Sequence, residues 1–154
     1  MKKYLWFILI LAILFVSSGQ TYEQQSLIPS LRNWLPGEPF KEILSTLQIS
    51  YWGRTISIEE RGYYHFVEFL IRKAAHIFTF GALAIAAFVI TKRYVLAFVI
   101  TVILAFLDEY HQSLTGGRTP TIQDVFLDAF GAFVALVILL FINKLRVRKK
   151  HNNI

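Results

Sequence analysis

Long apolar runs follow one another along most of this chain, and one long polar stretch interrupts them after the first run. Apolar runs of about 20 residues predict helices that cross the hydrocarbon core of a membrane. The pattern therefore predicts four spans, over residues 4–19, 74–91, 94–112 and 122–142.

The first apolar run is short, because its uninterrupted part covers only residues 4–16. As a helix it would extend about 20 Å, whereas the hydrocarbon core is about 30 Å thick. A basic start at Lys2 and Lys3, a short apolar core and a small-residue exit also fit a signal peptide, and this alternative stays open. The exit at residues 16–18 matches an Ala-x-Ala cleavage site poorly, so an uncleaved first helix, extended by its serines and by snorkelling lysines, is preferred.

The long polar stretch, residues 20–73, predicts an outer loop rather than a span. Apolar residues recur at helical spacing over residues 40–47, and more loosely over residues 27–35. We expect these short amphipathic helices to lie on the membrane surface, with Trp34 and Trp52 at the depth of the lipid headgroups.

The end of this loop contains a helix start signal. Ser57 and Glu60 have the spacing of a capping box, in which the serine side chain accepts a hydrogen bond from the backbone three residues on. The motif predicts a helix that begins there and continues into the second span. Gly62 opposes this continuation, because glycine weakens a helix interior.

Composition agrees with a membrane protein. Of 154 residues, 55% are hydrophobic and 17% are charged, which is more apolar surface than a soluble domain of this length buries. The absence of cysteine excludes disulfides and thiolate chemistry. The predicted fold class is an all-α integral membrane protein. It is a four-transmembrane-helix bundle in a single domain over residues 1–154, with interfacial amphipathic helices in its outer loop and a basic tail at residues 143–154.

The charges are distributed unevenly between the two ends of the predicted spans. All acidic residues fall at one end, and the other end carries only basic residues, namely Lys2, Lys3, Lys92, Arg93, Lys144, Arg146, Arg148, Lys149 and Lys150. Because basic residues concentrate in cytoplasmic segments, both termini are expected in the cytoplasm. The net charge of +6 then reflects topology, and no nucleic-acid partner is expected, since no continuous basic face is present.

Polar and ionisable side chains gather where the second, third and fourth spans reach the outer side. Such residues cost about 2 to 3 kcal/mol each at mid-bilayer, so their presence indicates a functional site. Three pairs at helical spacing define this site: Arg72 and His76, Asp108 and Gln112, and Asp124 and Asp128.

The turn between the third and fourth spans can be interpreted in two ways. Arg118 could bridge Asp108 or Glu109 to an anionic ligand through its planar guanidinium, or it could form a structural ion pair with Asp108 that locks the turn. Thr121 and Asp124 fit a capping box, so Asp124 has a structural explanation as well as a ligand-binding one.

The polar residues that lie inside the predicted spans differ in how readily a purely structural role explains them. For His76 the structural explanation is preferred, as a histidine at the membrane interface or one that is hydrogen-bonded in the core. Asp128 is harder to explain, because it lies about a turn inside its span and needs a partner or a water-filled pocket. Gly131 is expected to allow close packing between helices beside it.

Asp108 and Glu109 are the candidate catalytic residues. Either could act as general acid or base on a lipid-linked phosphate that Arg118 holds. Ser113 lies nearby but in no nucleophile-elbow context. The chain contains side chains of the types that bind metal ions, but it has no HExxH or paired-histidine spacing. No metal and no cofactor are therefore expected.

Five motifs in order along the chain resemble the VanZ-like family of bacterial membrane proteins. They are SSGQ at the end of the first span, RKAAH at the start of the second, LDEYHQ at the end of the third, GGR in the turn, and D-x-x-x-D-x-x-G on the fourth span. The resemblance covers nearly the whole chain, and the order and spacing of the motifs make it specific.

The resemblance also implies which residues form the polar site. Carried over by position, they are Arg72, Lys73, His76, Asp108, Glu109, Gln112, Arg118, Asp124 and Asp128, with Gly117 and Gly131 as structural members. Thr79 and Phe80 stand where family members often have Glu and Tyr, which weakens any proton-relay role for the second span.

The resemblance implies a multi-pass protein of the bacterial plasma membrane, in a family whose namesake is associated with resistance to the lipoglycopeptide teicoplanin. We expect a cell-envelope protein whose outward-facing polar site lowers susceptibility to such antibiotics. Its expected partners are membrane lipids and a lipid-linked cell-wall precursor or lipoglycopeptide. Two alternatives stay open. One is a membrane enzyme acting on a lipid-linked phosphate or cell-wall precursor, and the other is an assembly protein whose buried charges only hold its helices together.

Overall fold

A computed structural model describes residues 2–51, 53–115 and 121–152 of the chain. Two sets of sequence predictions lie outside these residues: the headgroup position of Trp52, and the roles of Gly117 and Arg118 in the turn between the third and fourth spans. They stay predictions.

Helices make up most of the described chain, as the sequence predicts. They are α1 Lys2–Ser18, α2 Ile28–Trp34, α3 Lys41–Ser45, α4 Ile58–Arg61, α5 Tyr63–Thr91, α6 Tyr94–Ser113 and α7 Ile122–Asn152. Among the described residues, three helices are long and apolar enough to cross a membrane, and they lie at Tyr63–Thr91, Tyr94–Ser113 and Ile122–Lys149. A multi-pass membrane protein is therefore plausible from length and composition.

The first predicted span forms a helix, but a shorter one. α1 is apolar and has 17 residues, which corresponds to about 26 Å at helical rise and falls short of the hydrocarbon core of about 30 Å. Whether α1 crosses the membrane, and hence the number of spans, stays a prediction.

The second long helix begins earlier than the predicted span 74–91. The Ser57 side chain accepts a hydrogen bond from the Glu60 backbone, so the predicted cap forms and α4 begins there. At Gly62 the backbone takes a positive φ of 79°, which ends α4, and α5 begins at the next residue, Tyr63. The helix therefore restarts after Gly62 rather than running through it.

The outer loop contains a feature that the sequence analysis missed. A two-stranded antiparallel hairpin pairs β1 Ile49–Tyr51 with β2 Arg54–Ile56. α2 and α3 form within the segments predicted as amphipathic helices, although α3 is shorter than residues 40–47. Their placement on a membrane surface stays a prediction.

α5 is the central helix of the bundle and packs against α1, α6 and α7. Small residues line the interfaces of the long helices, including the fully buried Ala84, Ala97 and Ala132. At Gly131 the α7 backbone comes so close to α5 that an added Cβ would lie 2.4 Å from the Ile77 carbonyl oxygen. The prediction that Gly131 allows close helix packing is thus confirmed.

The outward faces of the long helices are apolar. Large side chains such as Phe78, Phe106 and Phe126 are more than half exposed. No more than 33% of the most apolar window of each long helix is buried in the chain. Such continuous apolar surface is unusual for a soluble monomer and is what lipid would cover.

Candidate functional site

The polar residues meet at one end of the bundle. α5 and α6 are joined by a short turn at Lys92 and Arg93, so they run in opposite directions, and the start of α5 lies beside the end of α6. The beginning of α7 and the end of α1 reach the same place, which brings together residues that are far apart in sequence.

Four buried or half-buried side chains form the deepest group, called here the inner cluster: His76 on α5, Asp108 and Gln112 on α6, and Asp128 on α7. Gln112 Nε2 donates a hydrogen bond of 2.6 Å to Asp108 Oδ2, as their helical spacing predicts. The Ser18 hydroxyl, at the end of α1, donates to Asp108 Oδ1. His76 Nδ1 lies 3.2 Å from Asp128 Oδ1.

A second group, the lysine cluster, surrounds Asp124 at the start of α7. Lys73 Nζ and the Tyr51 hydroxyl both donate to Asp124 Oδ1. Thr121 Oγ1 donates to Asp124 Oδ2 at 2.9 Å and accepts from the Asp124 backbone at 3.1 Å. The Thr121 backbone in turn donates to Glu109 Oε1. Asp124 therefore takes part in the predicted cap and also holds an ion pair.

Tyr51 connects the hairpin to this cluster. The partial burial of its ring, together with the hydrogen bond to the Asp124 carboxylate, raises the pKa of Tyr51 well above its ordinary value. Lys73 Nζ also lies 4.5 Å from the centroid of the Tyr51 ring, where a cation is attracted to the aromatic face. The hairpin of the outer loop thus contacts the lysine cluster through Tyr51.

A third group, the arginine cluster, ties the start of the outer loop to α5. Arg72 donates to Glu68 Oε1 at 3.1 Å, to Gln25 Oε1 at 3.0 Å and to the Tyr22 carbonyl at 3.3 Å. Glu68 is only 1% exposed, and it also accepts from the Leu27 backbone at 2.7 Å and from the Tyr22 hydroxyl at 3.0 Å. Burial, and then the Glu68 carboxylate, raise the pKa of Tyr22.

These contacts bear on the interpretations that the sequence left open. Within the described residues, Arg72 forms its ion pair with Glu68 and not with Asp108. Arg118 lies outside those residues, so its pairing with Asp108 or Glu109 stays a prediction. Ser113 donates to the carbonyl of Tyr110 in its own helix at 2.6 Å, which does not favour a nucleophilic role.

A cavity of about 80 Å³ opens beside the inner cluster, between α1, α5 and α6. Its polar wall is formed by the side chains of Ser17, Ser18, Gln25, His76, Thr79 and Gln112. Ile13, Leu14 and Ala75 form the apolar part of the wall. A space of this size holds a few water molecules or one small polar group.

A family model described as VanZ/LLP1 matches residues 4–143. The chain belongs to the VanZ/LLP1 family. The match includes every residue of the predicted polar site, and it confirms the family resemblance that the sequence motifs indicate. No similar protein is found among curated sequences, and no similar fold is found among solved structures.

Several residues of this VanZ/LLP1 protein's polar site were missed by sequence reasoning. Glu68 lies four residues before Arg72, so the helical spacing used for the other pairs could have found it. Ser18 lies in the SSGQ motif and Tyr51 in no motif, but helical spacing could reveal the contacts of neither, because their partners Asp108 and Asp124 are 90 and 73 residues away in sequence.

Proposed function

We propose that this VanZ/LLP1 protein is a multi-pass protein of the bacterial plasma membrane that lowers susceptibility to teicoplanin-type antibiotics. In this proposal both termini are cytoplasmic, and the polar end of the bundle faces outward. The site accepts a polar group of an envelope ligand, either a lipid-linked cell-wall precursor or the glycopeptide itself.

The cavity beside the inner cluster carries this proposal. A polar wall next to an apolar one suits an amphipathic ligand, since the polar group finds hydrogen-bond partners while the lipid-like part stays at the helix surface. With about 80 Å³, the cavity is far too small for a whole glycopeptide. It has room only for a small group such as a phosphate, carboxylate or amide, which is consistent with binding one end of a larger molecule.

The test is the teicoplanin susceptibility of cells that express the wild type or one of three variants, with membrane protein levels measured alongside. Ala75→Leu narrows the cavity without removing a polar group. Arg118→Gln and Asp128→Asn change predicted site residues. Glu59→Gln, an exposed position on α4, is the matched control.

We expect the wild type and the Glu59→Gln control to raise the inhibitory concentration of teicoplanin, and the three site variants to lose this effect at unchanged protein level. A wild type that is well expressed and gives no protection would contradict the proposal. Loss of the protein itself in the Arg118 and Asp128 variants would instead favour the assembly role, because an unpaired buried charge is strongly destabilising.

A further inference from the structure

Three of the inner-cluster residues come from three different helices and converge on one point. His76 on α5, Asp108 on α6 and Asp128 on α7 each present a potential metal-ligating atom, and these atoms all lie within 4.8 Å of one another. One histidine nitrogen and two carboxylate oxygens is a donor set that divalent metal ions bind in proteins.

The charges of this group are not balanced by the described side chains. Asp108 and Asp128 are 6% and 1% exposed, so both carboxylates are largely removed from water. A protonated His76 would neutralise only one of them. Among the residues that the structure describes, no lysine or arginine forms an ion pair with either carboxylate, since Lys73 pairs with Asp124 and Arg72 with Glu68. A divalent cation between a neutral imidazole and two carboxylates would leave no net charge.

The hydrogen bonding of the same residues is also incomplete. His76 Nδ1 and Asp128 Oδ1 are buried and lie 3.2 Å apart, yet neither atom has a hydrogen-bond partner within the described part of the chain. Buried polar atoms without partners cost free energy, and a metal ion that both atoms coordinate would remove this cost.

Hydrogen bonds hold both oxygens of the Asp108 carboxylate, as they usually do in a carboxylate that binds a metal ion. Its Oδ1 accepts from the Ser18 hydroxyl, and its Oδ2 accepts from Gln112 Nε2 at 2.6 Å. Such contacts fix the orientation of a ligating carboxylate, and each oxygen keeps a further lone pair for an ion. The cavity lined by Ser18, His76 and Gln112 reaches this group on its His76 side.

We propose that His76, Asp108 and Asp128 form a binding site for one divalent transition-metal ion, either Zn²⁺ or Mn²⁺. The mixed nitrogen and oxygen donors favour these ions over soft metals, which prefer sulfur ligands, and the chain has no cysteine. The site goes beyond the proposed function and does not depend on it, because metal binding is measured on the purified protein.

The test uses the full-length protein in detergent, stripped with a chelator and then titrated with Zn²⁺ or with Mn²⁺. We expect one ion per chain and a higher unfolding temperature for the loaded protein. His76→Gln and Asp128→Asn should abolish stoichiometric binding. Gln112→Ala should weaken it by about 10- to 100-fold, as expected when a ligand loses its supporting hydrogen bond.

His65→Gln is the matched control, since His65 is an exposed histidine on the same helix as His76 and should leave binding unchanged. The X-ray absorption spectrum of zinc-loaded wild-type protein tests the ligand set without any variant. It should show one imidazole among oxygen ligands around the metal. Three results would each overturn the site. The wild type could bind neither ion stoichiometrically, binding could survive in His76→Gln and Asp128→Asn, or the spectrum could lack an imidazole ligand.

Discussion

Single residues at the polar end of the bundle combine structural and electrostatic roles. The Asp124 carboxylate accepts hydrogen bonds from Lys73, Tyr51 and Thr121, so it pairs with α5 and fixes the hairpin. The cap of α7 is made by the Thr121 hydroxyl, which accepts from the Asp124 backbone. An acidic residue in the first turn of a helix is also favoured by the positive end of the helix dipole. Asp124 therefore has structural contacts in addition to the cap that the sequence predicts.

Replacing Lys73 by methionine tests the strength of this ion pair. Lys73 and Asp124 are 22% and 16% exposed, so the pair is partly shielded from water. We expect Lys73→Met to lower the free energy of unfolding by about 1 to 3 kcal/mol, because it leaves a half-buried carboxylate without its cation. Adding Asp124→Asn to that variant should cost much less than Asp124→Asn alone, since contacting residues are not additive. The measurement is denaturant unfolding in detergent micelles followed by circular dichroism.

The exposed pair of Lys41 and Glu38 provides the control for this experiment. Its side chains are 55% and 30% exposed, and exposed pairs contribute little to stability. Lys41→Met should leave the unfolding midpoint unchanged. Equal effects of Lys41→Met and Lys73→Met would show that the lysine cluster is no more than a surface ion pair.

At the scale of helices, the approach of α7 to α5 sets the geometry of the inner cluster. Gly131 lies against Ile77, the residue after His76, and Asp128 lies one turn before Gly131 on the same helix. The absence of a side chain at Gly131 lets the two backbones come close enough for His76 and Asp128 to face each other. Helix packing and site geometry are thus linked through one glycine.

Gly131→Ala is expected to destabilise the bundle by about 1 to 3 kcal/mol, as overpacking does in tightly packed cores. The added Cβ would lie 2.4 Å from the Ile77 carbonyl oxygen, and a backbone atom cannot move aside without shifting the helix. Gly81→Ala should have a smaller effect, because its Cβ would meet the Ala135 Cβ at 3.2 Å and the Gly131 oxygen at 3.3 Å. Unfolding midpoints of the two variants give the comparison, and a Gly131 variant as stable as the wild type would contradict the close packing.

The sequence predicts contacts within a helix better than contacts between helices. The pairing of Asp108 with Gln112 and the Thr121 cap follow from local spacing, and both are confirmed. The bond from Leu27 to Glu68 joins residues 41 apart, and its partners are fixed by how the loop folds back. No periodicity encodes such a contact.

The convergence of His76, Asp108 and Asp128 at the proposed metal site could not be predicted from the sequence for the same reason. Its three residues come from three helices, so no short spacing such as HExxH could reveal them. The hairpin at residues 49–56 was missed as well, because strands of three residues are too short to set up a clear alternation.

At the scale of the whole molecule, the path of α1 bears on the number of membrane spans. Phe7 packs against the alanine-rich interface that contains Ala84, and Ser18 reaches Asp108 at the opposite, polar end. α1 therefore runs along the bundle between its two ends, although it is shorter than the other long helices. Whether α1 also crosses the membrane, with the basic residues on one side, stays a prediction.

Cysteine labelling of intact cells tests this arrangement, and the chain has no cysteine of its own to interfere. Three single variants at exposed positions are informative: Lys3→Cys, Gln48→Cys and Arg93→Cys. A maleimide that cannot cross the membrane should label Gln48→Cys from outside. It should label Lys3→Cys and Arg93→Cys only after the cells are permeabilised, because basic segments stay in the cytoplasm.

The pattern of labelling distinguishes two ways in which the predicted topology could be wrong. Outside labelling of Lys3→Cys, with Arg93→Cys protected, would mean that α1 lies in or on the membrane without crossing it. The polar site would still face outward in that case, since α5, α6 and α7 alone fix its side. Outside labelling of Arg93→Cys, with Gln48→Cys protected, would place the site in the cytoplasm. The proposed protection against an antibiotic that acts outside the cell would then fail, whereas a metal site at His76, Asp108 and Asp128 would be unaffected, because its ligands are set by helix packing and not by topology.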